Sequence, residues 1–138
     1  MGQPIIIEKT FKSEKKSIAI VEPMVFELKD KLGIATETFY NVMIAVTEAV
    51  NNAIIHGNKC DPDKEVFLRI EATKEKFKII VRDNGTGFDP EKLADPRKPE
   101  NLLKEGGRGV FLIKELANDV KFNIDDSGTE MTMWFKFD

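Results

Sequence analysis

One cysteine, Cys60, and one histidine, His56, are all that 138 residues contain of either type. A single thiol forms no internal disulfide, and no Cys/His spacing of a zinc cluster is present. A disulfide-built secreted scaffold is therefore excluded, a structural metal is unsupported, and a reducing, cytoplasmic setting is expected. Basic charge is also short: 21 Lys and Arg face 24 Asp and Glu, a net charge of −3. That leaves no positive field for a phosphate backbone, so no direct nucleic-acid binding is expected. Long apolar runs are missing too. The longest, Val42–Val46, falls far below the roughly 18 residues of a membrane span. The N-terminus lacks a signal-peptide pattern, and Ile6 stands where a myristoylation signal needs Ser or Thr. Neither a membrane span nor an anchor is expected.

What the chain does have is core-forming material, with 41% hydrophobic and 33% charged residues. This suits a single domain over residues 1–138, burying on the order of 15,000 Å² on folding without covalent help. Pro4–Phe11 reads as a strand, after which Ser13 and Ser17 offer helix N-caps. Ile18, Val21, Val25, Leu28 and Leu32 recur at helical steps, and Gly33 supplies the stop. Pro23 lies inside that pattern, which predicts a kink or a late start. Thr36 or Thr38 opens a second helix whose stripe of Phe39, Val42, Met43, Val46, Val50, Ala53 and Ile54 runs to Gly57. Glu65–Ala72 and Phe77–Arg82 read as a hairpin around the charged turn at Thr73–Lys76. An irregular segment with prolines at 96 and 99 extends to about Gly107, and Asp89–Gly107 is expected to act as a lid. A helix over Gly109–Ala117 and two strands, Val120–Ile124 and Thr129–Phe137, close the chain. The order β, α, α, β, β, loop, α, β, β predicts an α+β fold: helices layered on one face of a mixed, mostly antiparallel sheet.

Three clusters carry chemistry. Glu48 and Asn52, four residues apart, project together from the second helix on the side away from the Phe39/Val46/Val50 stripe. Small Ala45 and Ala49 beside them leave room for a ligand, and a carboxylate with an amide oxygen suits Mg²⁺ or the activation of a hydroxyl; the alternative, and the usual reading of a lone Glu/Asn pair, is a solvated face. Asp83-Asn84-Gly85-Thr86-Gly87-Phe88 follows a strand directly. Its glycines admit close backbone approach to a flat ligand and its carboxylate can accept from an amino group, although Asp-Asn-Gly also makes an ordinary tight turn. Gly106-Gly107-Arg108-Gly109 ahead of Val110 leaves free N–H groups at a helix start, which is either an anion site or a hinge without ligand.

In this order, the three clusters resemble the ATP-binding signatures of the GHKL superfamily, and over the whole chain the likeness is to the bacterial anti-sigma-factor serine kinases that act by partner switching. Thr47 to Gly57, ending Asn-Ala-Ile-Ile-His-Gly, resembles that family's N-box. The resemblance implies a two-layer α/β sandwich of the GHKL (Bergerat) type, with ATP and Mg²⁺ as cofactors. It further implies that Glu48 is the general base and Asn52 the Mg²⁺ ligand. By the same likeness Asp83 takes the adenine amino group with Gly85 and Gly87 beside the base, Gly106, Gly107, Arg108 and Gly109 meet the phosphates, and Thr129 assists adenine binding. Asn51 stands where the family often has Thr or another small residue, and Arg108 where it usually has an apolar one; Arg108 and Lys104 are open between phosphate contact, partner contact and plain exposure. His56 is expected to cap its helix through the dipole, and Cys60 to be an inert loop thiol. The implied partners are a sigma factor and an anti-anti-sigma protein of the STAS type, bound by a homodimer, with a serine of the latter as phosphoacceptor. The alternative is a module that binds ATP and sequesters its partner without phosphotransfer; a retained Glu48 argues for chemistry, since sequestration needs no base.

Overall fold

The computed structural model describes residues 3–84 and 107–137, with side chains from 109 onward in the second stretch. Strand β1 (Ile5–Lys12) leads through a 3₁₀ turn (Lys15–Ser17) into α1 (Ile18–Leu32) and then α2 (Thr36–Asn52), which ends in one π turn (Ala53–Gly57). The hairpin of β2 (Glu65–Ala72) and β3 (Lys76–Asp83) follows, then α3 (Gly107–Leu116), β4 (Asp119–Asp125) and β5 (Gly128–Lys136). The strands lie in the order β1-β2-β3-β5-β4. All four pairings are antiparallel, the stricter case of the mostly antiparallel sheet that the element order predicts.

Alternation in the strands sorts the sheet into two faces. Val66, Leu68, Ile70 and Ala72 of β2 are fully buried, as are Phe77, Ile79 and Val81 of β3 to within 2%; the residues between them, such as Arg69 and Arg82, point to the other face with their carboxylate partners Glu8, Glu71 and Glu130. The buried face meets Val21, Val25 and Leu28 of α1 and Phe39, Val42, Val46 and Val50 of α2 in one core. This is a two-layer α+β arrangement.

Local departures from the sequence reading have clear causes. The α1 helix runs from Ile18 through Pro23 without a late start. Pro23 sits on an exposed face, where the Ala19 carbonyl it leaves without an N–H partner can turn to water. Neither serine caps α1. The Ser17 hydroxyl donates instead to the Lys12 carbonyl at 2.8 Å, tying the helix entry to the end of β1. The α2 helix opens at Thr36 as expected, behind Ala35 and without a side-chain cap. Gly33 terminates α1 as expected, in the left-handed region at φ 65° and donating to the Lys29 carbonyl. The lid expected over Asp89–Gly107 lies outside the described residues up to 106.

Candidate functional site

The α2 helix presents two faces to two layers. Its apolar stripe enters the core together with Ala45 and Ala49, while buried Asn52 faces the start of α3. Glu48 is half-buried on this side. The first turn of α3 lies against it: a Cβ on Gly109 would stand 2.9 Å from Glu48 Oε2 and 3.1 Å from Asn52 Nδ2. The polar pair is therefore in close contact with the backbone of Gly109 and only partly open to solvent. Glycine at 109 leaves the ends of both side chains undisturbed.

Where α2 ends, the helix widens by one residue, and the Asn58 N–H donates to the Ala53 carbonyl at 2.8 Å. The extra residue carries Gly57 past the end of β3, directly against Asp83. A Cβ on Gly57 would overlap the Asp83 carboxylate. That carboxylate is 2% exposed and accepts from the Thr129 N–H at 3.3 Å. Across the sheet, Gly128 adopts φ 141° and packs on the Asp83 carbonyl, where a Cβ would overlap the oxygen. The turn feeding Gly128 is fixed by Asp125, which accepts from both the hydroxyl and the N–H of Ser127. The Ser127 hydroxyl first, then its N–H, holds the Asp125 carboxyl below its ordinary value.

Between these groups lies a small cavity of about 10 Å³, lined by Ala49, Asn52, Ala53, Asp83, Thr129 and Met131 among others. Two buried polar atoms beside it have no hydrogen-bond partner, Asn52 Nδ2 and Thr129 Oγ1. Leaving such groups unpaired costs about 1–3 kcal/mol each, so the site is built for a group that supplies an acceptor to the amide and a partner to the hydroxyl. Asn52 offers a hard oxygen as well. Among the described residues no three His, Cys, Asp or Glu side chains converge, so a Mg²⁺ held here would draw most of its ligands from phosphate and water.

The structure thus brings together Glu48, Asn52, Asp83, Gly109 and Thr129, which are dispersed in the sequence. Gly107 and Arg108 form the start of α3; Gly85, Gly87, Lys104 and Gly106 lie outside the described residues. His56 is half-buried in the π turn. Cys60 is half-buried in the following loop, in the left-handed region at φ 58°. Sequence reasoning missed Gly57 as the bed of the Asp83 carboxylate, having assigned it only the role of a helix stop. It also missed Asn58, whose partners come from three distant segments.

Comparison with known proteins places this arrangement in context. The family model described as "Histidine kinase-like ATPase domain" matches residues 11–135. A serine-protein kinase RsbW of Bacillus licheniformis is 32% identical over 133 residues, covering 92% of this chain and 82% of that protein. The RsbW of Halalkalibacterium halodurans is 31% identical over 137 residues, covering 95% and 83%. Among solved structures, the RsbU and RsbW domains of a Mycobacterium tuberculosis protein superpose with a TM-score of 0.70 at 15% identity, covering 96% of this chain and 32% of that one. The mycobacterial sensor histidine kinase MprB superposes at 0.55 and 12% identity, covering 94% and 97%; at these identities both likenesses speak for the fold.

Proposed function

This chain belongs to the histidine kinase-like ATPase domain family, among the relatives of the serine-protein kinases RsbW, and on that premise we propose that it transfers the γ-phosphoryl group of ATP to a serine of an anti-anti-sigma protein. It acts as an anti-sigma factor when that transfer leaves it free to hold the sigma factor. The single observation that carries the reading is the convergence of buried Asp83, unpartnered Asn52 and Thr129, and Glu48 at one place between α2, α3 and the ends of β3 and β5.

Each residue's chemistry suits its assigned role. Asp83, pinned by Gly57 and Thr129, offers an acceptor to an exocyclic amino group, which adenine has and guanine lacks at that position. The unpaired Asn52 amide and Thr129 hydroxyl gain partners when nucleotide enters, so binding recovers the cost they carry in its absence. Bound Mg²⁺ neutralises phosphate charge, and Asn52 Oδ1 is the protein oxygen that would hold it. Glu48, one helical turn before Asn52, is placed to take the proton of the attacking serine hydroxyl. The first turn of α3 brings Gly109 against the same pair, and the N–H groups of a helix start suit a phosphate.

The partners we infer are a sigma factor and an anti-anti-sigma protein of the STAS type, engaged by a homodimer. Among the described residues no helix is long and apolar enough to cross a membrane. The reading is tested by calorimetry of ATP with Mg²⁺ on the wild type and Asp83→Asn. The amide puts a donor against the adenine amino group and removes a charge-assisted bond of about 1.5–3 kcal/mol, so affinity should fall at least tenfold. Equal affinity in the two proteins would remove Asp83 from the site and the reading with it.

A further inference from the structure

Asn58 is fully buried one residue beyond Gly57, and its side chain makes three hydrogen bonds. Its Oδ1 accepts from the Asn84 backbone N–H at 2.9 Å. Its Nδ2 donates to the Glu65 carbonyl at 2.9 Å and to the Ser13 hydroxyl. The orientation of the amide is fixed by chemistry, since a backbone N–H only donates and a carbonyl only accepts. One side chain thus joins the segment after β1, the first residue of β2 and the residue after β3.

The consequence falls on the peptide unit between Asp83 and Asn84. Its N–H is held by Asn58 Oδ1. Its carbonyl, on the other side, is pressed against Gly128. With both ends of that peptide fixed, the Asp83 backbone cannot rotate, and the carboxylate stays wedged between Gly57 and the Thr129 N–H. Because Gly57 and Asn58 are adjacent, the bed of the carboxylate and the clamp on its peptide move as one. Resting on the nucleotide-binding role of Asp83 proposed above, we propose that Asn58 is a positioning residue for adenine selection, holding Asp83 where it distinguishes a 6-amino purine from a 6-oxo purine.

The experiment compares ATP with ITP, which carries a 6-oxo group in place of the amino group, by calorimetry with Mg²⁺ on four proteins. These are the wild type, Asn58→Ala, Asn58→Asp and Ser13→Ala. The wild type should prefer ATP by about ten- to a hundredfold, the value of one charge-assisted hydrogen bond. In Asn58→Ala, ATP affinity should fall until the ratio approaches one, while ITP affinity stays within about threefold. Ser13→Ala removes a partner on the side of Asn58 away from Asn84, so it should lower the melting temperature and leave the ratio intact. Asn58→Asp keeps an oxygen that can accept from the Asn84 N–H in either protonation state, so it too should keep the ratio; it decides the matter if the alanine variant does not fold. A parallel loss of ATP and ITP affinity in Asn58→Ala, or a collapsed ratio in Asn58→Asp, would show that Asn58 serves stability only or acts otherwise, and would overturn the proposal. A wild type that binds both nucleotides equally would refute the role of Asp83 itself, an outcome separable from failure at Asn58.

Discussion

Adding one methyl group at Gly57 tests the geometry of the site more sharply than removing any functional side chain. Gly57 is not among the glycines at positive φ, so an alanine meets no intrinsic backbone penalty, and by helix propensity alone it would stabilise the π turn by about 0.5–1 kcal/mol. Any destabilisation must therefore come from what the methyl strikes. Its Cβ would overlap the Asp83 carboxylate and stand 2.9 Å from Oδ1, whereas ordinary contact begins near 3.4 Å. The carboxylate has to retreat by on the order of 1 Å, with an overpacking cost of about 1–3 kcal/mol. The Thr129 N–H bond, already 3.3 Å long, does not survive such a shift. For a domain of this size that cost corresponds to a fall in melting temperature of roughly 3–12 °C. ATP affinity should fall by about ten- to a hundredfold, because the bond from Asp83 to the base is misplaced. Thermal melts and calorimetry on Gly57→Ala check both numbers. A protein as stable as the wild type, or more so, with unchanged ATP affinity would refute the packing of Asp83 on Gly57 and the assignment built on it.

Two further variants separate stability from function. Thr129→Val replaces a buried hydroxyl that has no partner by a methyl, so stability should rise by about 1 kcal/mol while ATP affinity falls; denaturant titration and calorimetry together check the opposite signs. Gly109→Ala places a Cβ 2.9 Å from the mobile end of Glu48, so the fold should tolerate it within about 1 kcal/mol, ATP should still bind, and phosphotransfer measured at saturating ATP should slow as Glu48 is displaced.

The sequence made legible whatever depends on near neighbours. The alternation of Glu65–Ala72 gives β2 with its bounds intact, and the helical stripe from Phe39 to Val50 gives the buried face of α2. The Glu48 and Asn52 pair was legible as a polar site on one helix, but its cover was not. That Gly109 would close over it depends on how α3 returns across the sheet. The π turn was hidden for a similar reason: Ala53–Gly57 reads as ordinary helix, and the added residue is set by the need to bring Gly57 onto Asp83. Ser17 and Asn58 are the clearest cases. Each carries a strong local preference, for a cap and for a turn, and each spends its side chain on carbonyls and amides contributed by other segments. Lys59 and Cys60, both at positive φ without being glycine, carry no composition signal at all, since the chain path between Asn58 and β2 dictates them.

The central claim is that Glu48 performs chemistry on ATP at this site, and single-turnover transfer measures it directly. Wild type and Glu48→Gln are each mixed with labelled ATP, Mg²⁺ and a candidate anti-anti-sigma protein of the STAS type, and phosphoserine is followed by mass spectrometry. Glutamine keeps the size of the side chain and removes only the base, so ATP should bind both proteins alike while transfer slows by about 10²–10⁴-fold in the variant. Phosphoserine forming at the same rate in both would contradict Glu48 as the base, and a wild type that binds ATP and partner but forms no phosphoserine would make this chain a sequestering module rather than a kinase.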